Sequence, residues 1–209
     1  MPTIESPPSR RERKKGATRD AIHDAALALT EEHGLTAVTV EAITELADVA
    51  PRTFFNHFPS KVNAVLGRDP GRAVRMGQAV VARPSDETPL VALRHVLLED
   101  FLPRETDPEQ ILRRFRLVRR EPLLLSTMHA EFEEAERAMT AAIATRTGLD
   151  PDTDLYPSLV VSVSVSAFRA SIMRWCQSGG DLPLEPVVLQ AFDQLAHGLV
   201  LTSTERTTL

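Results

Sequence analysis

Apolar residues in this chain fall almost entirely at helical spacing. Ile22, Ala25, Ala26 and Leu29 line one face of a first segment that Gly34 ends, with Thr18 placed as its N-cap. Thr39 can cap a short second helix carrying Val40, Ile43 and Ala47; after a break at Asp48 to Ala50, Pro51 suits the first position of a third. Ser60 can cap a fourth helix, interrupted by Gly67, Pro70 and Gly71 before it resumes through Val81. Five more helices follow, over 88–101, 108–120, 122–147, 153–178 and 185–201, with proline or glycine at the joints. Met128, Phe132, Ala135, Met139 and Ala142 form one long stripe. Val161 to Val165 alternates valine with serine, a strand pattern when taken alone. The wider stripe Val161, Val165, Phe168, Ile172 and Trp175 is helical and decides the reading. The expectation is an all-α protein of about nine helices, with no internal repeat.

Composition narrows the class. At 209 residues and 43% hydrophobic, the chain can bury a real core. No apolar run approaches the roughly 20 residues that span a bilayer, and no apolar h-region follows the basic N-terminal residues. A single cysteine, Cys176, excludes an internal disulfide framework. These features predict a cytoplasmic protein without a membrane partner. Charge complicates any nucleic-acid reading. The net charge is −5, and residues 1–66 hold eight Lys/Arg against nine Asp/Glu. Five of those cations fall within Arg10, Arg11, Arg13, Lys14 and Lys15, either a solvated tail or a DNA-contacting arm. With Pro2, Pro7 and Pro8 nearby, residues 1–15 are expected to be a disordered basic arm.

The informative stretch runs from Thr39 to Phe58. It describes two short helices joined by a tight turn. Ile43, Ala47, Val49 and Phe54 or Phe55 can close a small core with Ile22, Ala26 and Leu29. Phe54 is equally suited to core or to an exposed contact. The N-terminal half of the third helix then projects Arg52, Thr53 and Asn56, a geometry that can enter a major groove. Arginine can pair with guanine O6 and N7, asparagine with adenine, and threonine with a thymine methyl or a phosphate. Helix N-termini at Thr39 and Ser60 offer N–H groups to phosphates, with Lys61 adding a cation.

The arrangement Ile22…Ala25-Ala26…Gly34…Thr39-Val40…Ile43…Ala47-Asp48-Val49…Thr53…Phe55…His57-Phe58…Ser60-Lys61 resembles the N-terminal signature of the TetR family of bacterial transcriptional regulators. Pro51 to Phe55 and Phe58 to Lys61 look most like actinobacterial members. The resemblance covers about the first 67 residues and implies a helix-turn-helix domain over 16–67. Residues 68–209 would then be a helical effector-binding and dimerisation domain. Thr39, Arg52, Thr53, Asn56, His57 and Lys61 become the expected DNA-binding residues, with His57 and Thr53 nearer phosphates than bases. Three positions depart from the pattern. Phe55 stands where tyrosine is usual, Ala50 where serine would cap the recognition helix, and Thr30 where phenylalanine is usual.

The resemblance further implies that the last two helices form an intersubunit bundle. Ser162, Ser166 and Ala170 would form a small-residue ridge, and Phe192, Leu195 and Leu199, with Val188, a second stripe; either could instead face the internal core. An effector cavity would lie between the middle helices, lined from Phe115, Met128, Phe132, Phe168, Arg169 and Trp175, with Phe101, Met139, Met173, Arg174 and His129 as further candidates. The expected function is a dimeric regulator that binds a palindromic operator in double-stranded DNA and is released by a small hydrophobic molecule, with activation or a pure ligand-binding module as alternatives.

The five arginines of Arg113 to Arg120 read as a salt-bridged face or a second anionic patch, and Cys176 as packing or a redox sensor. No catalytic motif is present. The scattered histidines predict no metal, and no cofactor is expected.

Overall fold

The structure, a computed structural model, describes residues 10–67, 71–101 and 108–200. These residues form ten helices: α1 (Arg10–His33), α2 (Val40–Leu46), α3 (Pro51–His57), α4 (Lys61–Leu66), α5 (Arg72–Ala82), α6 (Pro89–Phe101), α7 (Pro108–Arg120), α8 (Pro122–Thr147), α9 (Leu155–Gln177) and α10 (Leu184–Ala196). The all-α expectation holds, and the count rises by one because the interrupted fourth helix is two. Gly67, in the left-handed region at φ 66°, ends α4. A Cβ there would also come within 2.8 Å of the His23 ring, so no side chain fits.

The chain divides into two compact units, residues 1–70 with 116–129, and residues 71–115 with 130–209. The first therefore takes in the end of α7 and the start of α8, beyond the 16–67 boundary expected. Its core joins Ile22, Ala26 and Leu27 of α1 to Ile43 of α2, Phe54 and Phe58 of α3, and Val65 and Leu66 of α4. One polar tie locks α1 onto α4, and a second buried bond is internal to α1. Buried His23 donates from Nδ1 to the Ala64 carbonyl at 2.7 Å, and Thr30, also buried, donates to its own helix at Ala26 O at 2.7 Å. The unusual threonine is thus satisfied without disturbing the packing.

The basic residues expected to form an irregular arm are helical instead. Helix α1 begins at Arg10, Gly16 lies inside it, and Thr18 is no N-cap: its hydroxyl donates to Lys14 O one turn back. Arginine, lysine and glutamate are good helix formers, and one internal glycine costs only about 1 kcal/mol. Residues 1–9 lie outside the described residues.

The second unit packs α5, α6, the part of α8 from Ala130 onward, α9 and α10 about Met76, Val80, Leu93, Met139, Val161 and Trp175. The Val161–Trp175 stripe faces this core, which confirms the helix over the strand. By length and composition α9 could cross a membrane, but its apolar stripe is spent on the core and Arg169 and Arg174 lie on its exposed side. Arg146, in the last turn of α8, donates to the carbonyls of Val80, Arg83, Pro84 and Glu87 and thereby fixes the α5–α6 loop. Helix α10 stops at Ala196 rather than near 201, because Gly198 and then Leu199 turn left-handed at φ 74° and 59°.

Candidate nucleic-acid interface

The local geometry of α2 and α3 follows from their caps. Thr39 Oγ1 accepts from Ala42 N at 3.1 Å and starts α2. The chain then reverses at Asp48, whose φ of 51° is one that aspartate tolerates better than most side chains. Val49 N donates to Thr44 O at 3.0 Å to close the turn. Helix α3 begins at Pro51 with no side-chain bond from Ala50, as the missing serine predicts. Ser60 both accepts from Asn63 N and donates to Asn63 Oδ1, starting α4.

Phe54 and Phe58 are completely buried, which settles the open choice for Phe54 in favour of the core. They anchor the inner face of α3. Pro51, Arg52, Phe55 and Asn56 are exposed on its other side, with Thr53 and His57 half-buried at the flanks. Arg52, Thr53 and Asn56 thus project as expected from a helix of their spacing. Phe55 is 59% exposed, its ring edge-on to Phe54 at 5.3 Å.

His57 and Lys61 sit differently from the expectation of simple phosphate donors. Burial lowers the His57 pKa below its usual value, and the charges of Arg19 and Lys15 lower it further. The imidazole is therefore neutral at pH 7. The same coupling puts Lys15, from the basic start of α1, within electrostatic reach of the end of α3. Arg19 donates to His57 O at 2.8 Å and stacks 4.1 Å over the Phe58 ring, a positioning role that no sequence motif announced. Lys61 Nζ donates to Val38 O at 2.7 Å, to Leu35 O at 2.9 Å and, more weakly, to Thr36 O at 3.5 Å. Its ammonium holds the loop that leads into α2.

The expected effector residues are only partly brought together. Phe168 and Trp175 are buried in the second unit's core, and Phe101 meets Phe168 edge-on at 5.5 Å. Phe132 lies 5.9 Å from the Arg72 guanidinium, which is paired in bidentate fashion with Asp100. Phe115 is half-buried in the same unit. Met128 does not join them, since it packs against the core of the first unit, and Arg169 points out from α9. The arginine cluster splits. Arg116, Arg119 and Arg120 are exposed, whereas desolvation and the nearby Arg72 charge lower the Arg114 pKa against the pull of Asp100, Glu131 and Cys176. Burial also pushes the Cys176 thiol up to about 11, which opposes the redox-sensor reading. A separate open groove of about 500 Å³ runs between α5 and α8, lined by Val74, Gly77, Val81, Ala138, Ala141 and Thr145.

On α9, Ser162, Ser166 and Ala170 are exposed together with Leu155, Leu159 and Met173. Phe192 departs from the expected interface because it is only 2% exposed within its own unit, and Leu199 lies beyond the end of α10. Leu195 is half-buried.

A helix pair anchored through Ile43 and Phe54 that presents the outer face of α3 is the helix-turn-helix of an all-α DNA-binding regulator. The model of the bacterial regulatory proteins of the tetR family matches residues 22–63, and that of the MftR C-terminal domain of the same family matches residues 87–200. The chain belongs to the TetR family of transcriptional regulators. It is 35% identical to the transcriptional regulator TcmR of Streptomyces glaucescens over 174 residues, covering 80% of this chain and 77% of that one. It is 32% identical to the repressor KstR of Rhodococcus jostii over 128 residues, 60% and 52% of the two chains. Among solved structures, the SmeT–triclosan complex shares the fold with a TM-score of 0.58 and 21% identity, over 92% of this chain and 99% of that one.

Proposed function

We propose that this regulator is a cytoplasmic homodimeric repressor that holds a two-fold symmetric operator and lets it go when a small apolar effector binds the second unit. The observation that carries the DNA reading is the outer face of α3, where Arg52 and Asn56 stand exposed above a fully buried Phe54. Arg52 is the candidate for a bidentate guanine contact and Asn56 for adenine; Thr53, His57 and the N-terminal turn at Thr39 face phosphates. Lys61 acts chiefly by positioning the loop before α2.

Dimerisation supplies what charge does not. Two modest contacts about 34 Å apart on one duplex reinforce each other. The exposed α9 face of Leu155, Leu159, Ser162, Ser166 and Ala170 supports its use as the subunit contact, with small residues permitting close approach. The aromatic residues Phe101, Phe168 and Trp175 of the second unit's core support an apolar effector, and a neighbour of the same fold was solved with triclosan. Helices α7 and α8 each supply residues to both units. A 100-fold release needs about 2.7 kcal/mol of coupling, an ordinary allosteric magnitude.

The test is a mobility shift with the DNA upstream of the protein's own gene. The wild-type protein should retard it and Arg52→Ala should not. Failure to bind any duplex at low salt would overturn the proposal.

A further inference from the structure

We infer that Phe55 reads sequence: its ring is the apolar contact for a thymine methyl group in each half-site. The inference rests on the DNA-binding reading above and adds a base preference to it. Helix α3 has only seven residues, and its inner face is already filled by Phe54 and Phe58, both completely buried. Phe55 lies largely outside that core, 59% exposed, and meets it edge-on at Phe54. Covering that ring with an apolar partner is favourable, by roughly 25 cal/mol per Å² of apolar surface removed from water.

The chemistry of the ring narrows that partner. Phe55 has no hydroxyl, so it can give a phosphate no hydrogen bond. It shares the outer face of α3 with Arg52, one turn earlier, and with adjacent Asn56, both exposed. Where those two meet base edges, Phe55 meets base edges too. The only apolar group that the major groove displays is the C5-methyl of thymine. The edge-on contact with Phe54, at 5.3 Å and 82° between ring planes, fixes the direction of the exposed ring, so little freedom is lost on binding. Arg52 and Asn56 then discriminate by hydrogen bonding, and Phe55 separates thymine from cytosine at the step between them.

Uracil substitution tests this, because it removes the methyl group and nothing else from the groove. The probe is the duplex recovered by wild-type protein from a random pool, with each thymine in turn replaced by deoxyuridine. One thymine per half-site should be sensitive. Its replacement should weaken wild-type binding about fourfold, the worth of one buried CH2-sized group, and about fifteenfold when both half-sites are changed. Phe55→Ala should bind the thymine and uracil duplexes equally while melting at the wild-type temperature. If no uracil duplex is weakened, or if Phe55→Ala retains the full methyl preference, the inference fails and Phe55 is at most a backbone contact. If wild-type protein recovers no duplex, the DNA-binding reading falls and the inference with it.

Discussion

Lys61→Met separates two roles for one lysine. A surface cation contacting phosphate and a clamp holding a loop lose different things when the charge is removed. The ammonium makes two good hydrogen bonds, to Val38 O at 2.7 Å and Leu35 O at 2.9 Å, and a marginal one to Thr36 O at 3.5 Å. Each good bond from a charged donor is worth about 1.5–3 kcal/mol. Ordering a lysine side chain returns about 2 kcal/mol of that. The net loss is about 2 kcal/mol, or roughly 8–16 °C in melting temperature if the N-terminal unit unfolds as a domain of its size. Methionine keeps the apolar stem, so the core of Ile43 and Val65 is not the cause. The assay pairs thermal unfolding with operator affinity measured across salt concentrations. Removing a phosphate contact lowers the slope of log affinity against log salt by about 1 per subunit; removing a clamp lowers affinity with little change in slope. An unchanged melting temperature with a reduced slope would refute the clamp.

Three further outcomes follow from the same geometry. Ala50→Ser should stabilise the protein by about 1 kcal/mol by supplying the cap that α3 lacks, read by denaturant unfolding. Leu159→Asp, on the exposed face of α9 where the side chain is 49% accessible, should yield a folded monomer with weakened operator binding; sedimentation and circular dichroism check both parts. The depressed His57 pKa means that the unfolded chain holds this proton more tightly than the folded one. Its contribution is therefore neutral above pH 6.5 and becomes destabilising as pH falls from there through the folded value. Titration by NMR should place His57 below the ordinary histidine range, and Lys15→Ala should move it upward.

What was legible in the sequence is what local chemistry decides. Thr39, Pro51 and Ser60 announce helix starts because a hydroxyl three residues before an N–H, or a fixed φ, acts within one turn. The outward register of Arg52 and Asn56 follows from the same short-range periodicity. Helix ends set by backbone handedness were harder. Leu199 and Val200 extend the apolar pattern of α10, yet Gly198 stops the helix first. Thr18 resembles a cap but is interior because nothing between Arg10 and Lys15 breaks a helix. Contacts made across the fold left no local trace: Arg19 on Phe58, Lys61 on the loop before α2, Arg72 with Asp100, and Arg146 across the α5–α6 corner. Amphipathic stripes likewise say which residues are apolar, not which of two cores they enter. Hence Met128 and Phe192 went elsewhere than their spacing alone indicated.

The outer face of α3 carries one cation, with Lys15 of α1 near its end, and so short a list of candidate phosphate contacts bears on how such a protein would find its site. Affinity for random duplex grows with the number of phosphates a surface neutralises. A dimer that neutralises few of them is held weakly by the millions of irrelevant sites in a chromosome. It would search largely by dissociating and rebinding, with short sliding runs, and little of it would be sequestered along the way. Occupancy of the operator then depends on the ratio of specific to random affinity multiplied by the number of competitors, so a modest operator affinity and a small number of molecules per cell suffice.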